Sequence, residues 1–233
     1  MNQRIKQMKH KELSLYFRDG TSDIKAFREV LISDSYQRRD FKIERDETWI
    51  DIGANCGAFC LLAARQGARV FAFEPDAESA AIAHLNIKEN GYGKAVTLTQ
   101  VGLSEEESHG HASFYQNTAK GNVWRNSMFK QWRGGEKTTI KTAPVKEWWR
   151  PEYCIKLDAE GVEMPILEKY ARRRVKKLVF EWSFDIDRSI PRFQQVIEAL
   201  RSTYETVKYG KFNETEKDWP ASWFPPCRTV WCY

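Results

Sequence analysis

The residues of this chain best suited to chemistry fall in two short segments, of which the first runs from Asp51 to Gly57 with the sequence DIGANCG. Gly53 permits a sharp backbone turn after an apolar run, and Gly57 permits the first turn of a helix to approach a ligand or the sheet. The N-terminal end of such a helix can accept a carboxylate, while Asp51 can attract an ammonium group. The segment therefore favours a zwitterionic amino acid as its ligand.

Two further features concern the nucleoside part of a cofactor. Asn55 stands where the dinucleotide pattern GxGxxG has its second glycine, which argues against a pyrophosphate. Glu74 follows the next apolar run, where an acidic side chain can accept both hydroxyls of a ribose. We therefore predict a cofactor site made of Asp51, Gly53, Asn55, Gly57 and Glu74. The alternatives are a nicotinamide cofactor, or a purely structural turn with Glu74 at a helix N-terminus.

The second segment is IKLDAEG, which begins at residue 155. Lys156 and Asp158 are two apart on a predicted strand, so they share one face and point into the crevice at the carboxyl end of the sheet. We predict Asp158 as the catalytic base or a metal ligand, and Lys156 as a group that stabilises a developing alkoxide or keeps Asp158 ionised. Glu160 is the third catalytic candidate. The alternative is that Lys156 pairs with Asp158, and Glu160 and Glu163 cap the next helix.

A divalent metal and the acceptor site are less well defined by the sequence. Three carboxylates so close together could bind Mg²⁺ or Mn²⁺, but the sequence does not require a metal. Residues 116–137 are polar and lack clear periodicity, and a loop of this length inside a compact domain is usually functional. We predict that this loop, more mobile than the sheet, forms the acceptor site with a contribution from Glu163, its main residues being Trp124, Arg125, Trp132 and Arg133. His109 or His111, just before it, is an alternative base.

Length and composition describe one globular domain with appended elements. The chain has 233 residues, of which 42% are hydrophobic, and a net charge of +5. No apolar run approaches the roughly 20 residues that cross a bilayer, and the polar, basic start does not resemble a signal peptide. Five scattered cysteines without CxxC spacing indicate neither a disulfide framework nor a zinc site. We therefore expect a cytoplasmic protein without membrane insertion.

The elements that must position these residues alternate along the chain. Apolar runs before residues 53, 75, 102 and 158 are predicted strands, and amphipathic segments between them are predicted helices. This alternation indicates βαβ units, and hence a Rossmann-like α/β fold with a mostly parallel sheet and helices on both faces. Residues 1–45 are predicted to be a helical extension packed on the core, because Ile24, Phe27, Val30 and Leu31 form an apolar stripe. Residues 46–233 form the main domain.

Read together, these segments resemble the FkbM-type family of class I S-adenosylmethionine-dependent methyltransferases. The similarity lies in WIDIGANCGAFCLLAA, AFEPD and IKLDAEGVEMPIL, which are similar to the first motif, the acidic second-strand motif and the KxDxEGxExxxL signature. LVFE at 178–181 is similar to the strand that follows, and YFRDGTSDIKAFREVLISDSY at 16–36 to the family's N-terminal lead-in.

The resemblance implies a seven-stranded class I methyltransferase fold, S-adenosylmethionine bound at the five cofactor residues, and usually a hydroxyl as acceptor. We therefore predict an O-methyltransferase that acts on a sugar, a glycan or a related small molecule. One alternative is an RNA or DNA methyltransferase, in which the loop tryptophans and arginines stack on bases and contact phosphates. Another is a non-catalytic S-adenosylmethionine-binding module.

Overall fold

The computed structural model describes residues 4–116, 126–129, 135–183, 186–187, 189–209 and 227–233. Its first half contains β1 (Ile5–His10), β2 (Leu13–Arg18), α1 (Asp23–Phe27), a π-helical turn (Arg28–Ile32), β3 (Thr48–Ile52), α2 (Ala58–Arg65), β4 (Arg69–Phe73), α3 (Ala77–Glu89), β5 (Val96–Thr99), β6 (Gly102–Ser104) and β7 (Gly110–Gln116). Then follow β8 (Glu136–Pro144), β9 (Cys154–Leu157), α4 (Glu163–Tyr170), β10 (Lys177–Ser183), α5 (Ile190–Arg201), β11 (Val207–Tyr209) and β12 (Cys227–Cys232).

A seven-stranded sheet in the order β11-β12-β10-β9-β3-β4-β5 forms the centre of the protein. Neighbouring strands from β10 to β5 run parallel, and β12 lies antiparallel between β10 and β11. Parallel strands covered on both faces are buried along most of their length, as β3 and β9 are. The predicted α/β fold with a mostly parallel seven-stranded sheet is therefore confirmed.

Two apolar cores lie on opposite faces of this sheet. Ile50 and Ile52 of β3 pack with α4 and α5 in one core, whereas Trp49 packs with α2 and the N-terminal segment in the other. This division follows from the strand geometry, in which successive side chains point to opposite faces. The helices hold the carboxyl ends of the strands at one edge.

Within the described residues, no helix is long and apolar enough to cross a membrane.

The N-terminal segment differs from the expected helical extension, because it opens with a β-hairpin formed by β1 and β2. The helical prediction is wrong for residues 5–18 and holds for residues 23–32, where α1 continues into the π-helical turn. In β2 only Leu13, Leu15 and Arg18 are buried, an alternation too short to separate a strand from a helix in sequence. Two asparagines of α3 fix the hairpin, since Asn86 Oδ1 accepts from Tyr16 N at 2.8 Å and Asn90 Oδ1 from Ser14 N at 2.8 Å.

A second sheet of three strands, in the order β6-β8-β7, lies beside the main sheet. Strand β8 was not predicted from the sequence, because its first half is exposed and charged and shows no apolar run. Residues 117–125 and 130–134 of the predicted loop lie outside the described residues. Within the remainder, Ser127 forms a backbone bridge with Tyr115 of β7.

Candidate active site

The two segments predicted to carry chemistry lie side by side, because β9, β3 and β4 are neighbours in the sheet. The backbone N–H of Asp158, just after β9, donates to the carbonyl of Ile52 at 3.1 Å. The backbone N–H of Gly53 donates to the carbonyl of Phe73, at the end of β4, at 3.0 Å. The carboxyl ends of three parallel strands therefore form one continuous polar edge, as expected for the ligand side of an open α/β sheet.

Gly53 makes the closest backbone approach in this site. Its φ of +83° favours glycine, and a Cβ at this position would lie 2.0 Å from the carbonyl oxygen of Asp158. Gly57, with the same φ, would place a Cβ 3.2 Å from the Cα of Ala83 in α3. Gly53 is therefore needed for contact between the two chemical segments, while Gly57 is needed for packing of the turn against α3.

Replacing Gly53 with alanine is expected to lower the free energy of unfolding by about 3 kcal/mol or more, since the backbone carbonyl that it would meet cannot move aside cheaply. A matched control is Gly91→Ala, whose φ is +76° with nothing within 4 Å of its Cβ position. That variant should lose only the strain of a positive φ, about 1 kcal/mol. Urea unfolding of both variants measures the difference, and equal losses would contradict the close approach described for Gly53.

Lys156 joins the two segments through a buried ion pair. Its Nζ lies 3.0 Å from Asp51 Oδ1 and donates to the Gly53 carbonyl at 2.6 Å, and the side chains of Lys156 and Asp51 are 4% and 0% exposed. Burial alone would lower the pKa of Lys156, but the carboxylates of Asp51 and Asp158 outweigh it and raise the pKa above its ordinary value. Lys156 therefore remains an ammonium ion that fixes the turn from Gly53 to Gly57, called the glycine turn below.

These contacts change the roles expected for Asp51 and Lys156. Asp51 was expected to attract a cofactor ammonium directly, but its carboxylate is buried and contacts Lys156 Nζ and the Cys60 thiol, which donates to Oδ2 at 3.3 Å. The expected pairing of Lys156 with Asp158 is also the weaker one, with 3.9 Å between Nζ and Oδ2. Asp51 therefore acts on the turn at Gly53 indirectly, through its ion pair with Lys156, and its carboxylate does not lie at the surface of the site.

Asp158 carries a partly exposed carboxylate directly after β9. Its side chain is 25% exposed, and its Oδ2 accepts a hydrogen bond of 2.6 Å from the hydroxyl of Tyr36. Lys156 Nζ lies 3.9 Å from the same Oδ2 atom. This arrangement holds the carboxylate in one orientation while leaving part of it accessible, which is the geometry that a general base requires.

Tyr36 is a residue of the site to which the sequence interpretation assigned no role. It is 4% exposed, Trp231 Nε1 donates to its carbonyl at 3.1 Å, and its ring meets Phe59 edge-on. Burial, together with the charge of Asp158, raises the pKa of the Tyr36 phenol well above its ordinary value, so the phenol remains a hydrogen-bond donor. In the sequence, Tyr36 is the last residue of the segment 16–36 that is similar to the N-terminal lead-in of the FkbM-type family. No sequence spacing links Tyr36 to Asp158.

Glu160 and Glu163 stabilise the turn that follows Asp158. Glu160 has a φ of +53°, and its Oε2 accepts from the Ser183 hydroxyl at 3.3 Å. Both oxygens of Glu163 accept backbone N–H groups, from Ala159 and Gly161, each at 2.7 Å. Burial raises the pKa of Glu163 to about 7, with the charge of Asp158 as the second cause. At 1% exposure Glu163 holds the turn together, which corrects the expectation that it contacts the acceptor.

The three carboxylates of this segment do not converge on one point. Among the described residues, no group of three or more His, Cys, Asp or Glu is placed to hold a metal ion. The Glu163 carboxylate accepts from backbone amides, the Glu160 carboxylate accepts from the Ser183 hydroxyl, and the Asp158 carboxylate accepts from the Tyr36 hydroxyl.

Glu74 and Asn55 form the other half of the polar edge. Glu74 is 7% exposed, and its two oxygens accept the backbone N–H groups of Asn55, at 2.8 Å, and Asp76, at 2.9 Å. Burial raises the pKa of Glu74 to about 7, although these two hydrogen bonds oppose the shift. The side-chain oxygen of Asn55 is buried and has no hydrogen-bond partner in the structure. Such an unsatisfied acceptor is costly unless a ligand or water pairs with it.

The residues expected to bind the acceptor, Trp124, Arg125, Trp132 and Arg133, lie outside the described residues. Their role remains a prediction. Residues 126–129, which the structure describes, lie against the turn after Asp158, because the Ser127 hydroxyl donates to the carbonyl of Glu160.

Comparison with protein families agrees with this site. A family model described as the methyltransferase FkbM domain matches residues 51–206, which include both chemical segments. The chain belongs to the FkbM methyltransferase family. It is accordingly an S-adenosylmethionine-dependent methyltransferase. No curated protein matches the chain significantly.

Solved structures of related fold are similar to this FkbM family member at low sequence identity. An FkbM methyltransferase from Methylobacillus flagellatus is 13% identical, with a TM-score of 0.49, over 89% of this chain and 48% of that one. A fibrillarin/Nop5p complex gives 13% identity and a TM-score of 0.49 over 89% and 82% of the two chains. An S-adenosylmethionine-dependent O-methyltransferase from Thermotoga maritima gives 12% and 0.46 over 88% and 69%.

The polar edge fits the methyl donor used by the FkbM family. S-adenosylmethionine carries an ammonium group and two ribose hydroxyls, which are hydrogen-bond donors. The edge offers acceptors, namely the carboxylate of Glu74 and the unpaired buried oxygen of Asn55. Both acceptors lie at the same end of the sheet as Asp158, so the residues present suit this cofactor.

Donor binding is expected to tighten as the pH rises through about 7. We expect the ribose hydroxyls to bind the ionised form of Glu74, whose pKa is about 7, so below that pH the carboxyl group must lose a proton before it accepts them. Each pH unit below 7 should weaken affinity by up to about tenfold, or 1.36 kcal/mol. Calorimetric titration with S-adenosylhomocysteine measures this dependence. Glu74→Gln should remove most of it, and an unchanged pH profile in that variant would assign the proton to another group.

Proposed function

We propose that this methyltransferase transfers the methyl group of S-adenosylmethionine to a hydroxyl of a sugar, a glycan or a related small molecule. The observation that carries the proposal is the Asp158 carboxylate, which is partly exposed, held by the Tyr36 hydroxyl at 2.6 Å, and placed at the same edge of the sheet as Glu74. A hydroxyl acceptor must lose a proton during methyl transfer, and a positioned carboxylate can take it.

The chain's own residues divide the work of this reaction. The bound donor supplies an electrophilic methyl group on its sulfonium sulfur. Glu74 and Asn55 hold the nucleoside and amino-acid parts, which fixes the direction of approach. Asp158 accepts the hydroxyl proton at its carboxylate, and Tyr36 keeps that carboxylate oriented. Lys156 is too deeply buried to touch an acceptor, at 4% exposure, so its part is to hold the turn at Gly53 through its ion pair with Asp51 and its hydrogen bond to the Gly53 carbonyl.

A screen of acceptors tests the proposal. The full chain is incubated with isotope-labelled S-adenosylmethionine and separate sets of methyl glycosides, oligosaccharides, short RNAs and amines, and label transfer is measured by mass spectrometry. The labelled glycosides and oligosaccharides are then measured again after mild treatment that cleaves methyl esters but not methyl ethers. Label that remains after this treatment identifies a methyl ether, and hence a hydroxyl acceptor. Transfer to RNA alone would contradict the proposal.

The nucleic-acid alternative rests on loop residues outside the described part of the chain. A salt titration distinguishes the two acceptor classes, because binding through several phosphates weakens steeply with salt, whereas binding of a neutral sugar does not. We expect KM for the acceptor to change little with ionic strength.

A further inference from the structure

A polar groove of about 440 Å³ lies beside the active site, between the segment after β6, strand β7 and residues 128–129. Hydroxyl, imidazole and carboxylate side chains line it together with one aromatic ring, and the principal lining residues are Ser104, Glu105, Glu106, His109, His111 and Phe129. These hydrogen-bonding groups share the lining with the apolar side chains of Met128 and Phe129. Such a mixture suits a small polar ligand that has an apolar face rather than a lipid or an apolar peptide.

Ser104 supplies a buried, unpartnered hydroxyl at this groove. The residue is 3% exposed, and its Oγ has no hydrogen-bond partner in the structure. Burying a hydroxyl without a partner costs about 1 to 3 kcal/mol, so a ligand group that pairs with it gains that amount on binding. Strand β6 holds Ser104 rigidly, because its backbone pairs with Pro144 of β8.

Phe129 supplies an exposed aromatic surface on the wall of the groove. It is 52% exposed, one of the few large apolar side chains that the described surface leaves open. The same ring lies against the turn after Asp158, since a Cβ on Gly161 would be 3.3 Å from Phe129 Cδ2. The groove therefore adjoins the segment that carries the proposed base.

The charge of the groove selects among polar ligands. Glu105 and Glu106 contribute carboxyl groups, and none of the described residues that line the groove is Lys or Arg. Carboxylates repel a phosphate backbone, whereas they accept hydrogen bonds from neutral hydroxyls. A neutral polyhydroxylated ring, with polar edges for Ser104 and the histidines and an apolar face for Phe129, matches this surface.

We propose that this groove binds a neutral sugar ring of the acceptor, adjacent to the ring that is methylated. In this assignment the Ser104 hydroxyl pairs with a sugar hydroxyl, and the Phe129 ring packs against the apolar face of the sugar. The inference rests on the proposed function, because it assumes that the acceptor at Asp158 is a glycan.

Saturation-transfer NMR on the full chain with S-adenosylhomocysteine tests the groove directly. The probes are methyl α-glucopyranoside, methyl α-galactopyranoside and methyl α-rhamnopyranoside. At least one of these glycosides should bind. Phe129→Ala should weaken the affinity for that glycoside by up to about tenfold, the effect of removing one packed aromatic ring. Ile5→Ala is the matched control, because Ile5 is also an exposed apolar residue, at 43%, but lies in the N-terminal hairpin. Ser104→Ala should weaken binding without lowering the melting temperature, since it removes an unpaired hydroxyl.

Each outcome separates this inference from the proposed function. Glycoside binding that Phe129→Ala and Ser104→Ala weaken supports the groove, even if no methyl group is transferred to any sugar. Methyl transfer to a glycan with an unchanged KM in both variants would support the proposed function and overturn the groove. Absence of binding by all three glycosides, or their displacement by a short RNA, would also overturn it.

Discussion

Replacing Asp158 with asparagine is expected to lower kcat by at least about a hundredfold while leaving donor affinity and the melting temperature nearly unchanged. Asparagine keeps the size of the side chain and can still accept the hydrogen bond from Tyr36, but it cannot take a proton from an acceptor hydroxyl. The measurement is the steady-state rate at saturating donor, beside a thermal melt. A near-normal kcat with an unchanged melt would remove Asp158 from the mechanism.

Tyr36→Phe is the companion variant, because it keeps the Asp158 carboxylate and removes only its 2.6 Å hydrogen bond. We expect a smaller loss in kcat, about tenfold, with little change in KM for either substrate, since a positioning residue acts on the reacting geometry rather than on binding. Added Mg²⁺ or Mn²⁺ provides a second control. Partial rescue of Asp158→Asn by either ion would identify Asp158 as a metal ligand instead of a base.

Replacing Lys156 with methionine is expected to lower the free energy of unfolding by about 3 to 5 kcal/mol, because it leaves the buried carboxylate of Asp51 without a counter-ion. Asp51 is 0% exposed, and Lys156 Nζ at 3.0 Å is the cation beside it. The glycine turn would also lose the hydrogen bond from Nζ to the Gly53 carbonyl, so donor binding should fall with stability.

Two variants distinguish a buried-charge penalty from a general loss of packing. The double variant Asp51→Asn with Lys156→Met removes both charges and should recover more than half of the lost stability, since a buried pair replaced as a unit is often close to neutral. Lys6→Met breaks the Lys6–Asp19 pair, which has a similar length of 2.9 Å but side chains 45% and 43% exposed. It should lower stability far less than Lys156→Met, because solvent screens an exposed pair. Equal losses from Lys6→Met and Lys156→Met would contradict the role assigned to burial.

Local patterns in the sequence were sufficient for the main sheet and for the expectation that the two chemical segments lie together. The alternation of short apolar-rich segments with amphipathic segments predicted the parallel strands β3, β4, β5 and β9. Parallel strands end at one edge, so DIGANCG and KLDAEG were expected at the same edge before any contact was known. Short alternations, such as that of β2, and exposed strands, such as β8, gave no signal of this kind.

The roles of individual residues were decided only by the tertiary structure. The sequence placed Asp51, Lys156 and Asp158 in one site, yet it could not say that Lys156 pairs with Asp51 across two strands rather than with Asp158 on its own strand. Burial separates carboxylates of the same type, leaving Asp158 accessible while Glu163 is enclosed by backbone amides. Tyr36 contacts Asp158 from 122 positions away, and no spacing along a chain encodes such a contact. Side-chain type and order fix which elements form, whereas solvent exposure and long-range pairing, which set chemical roles, arise only when those elements pack.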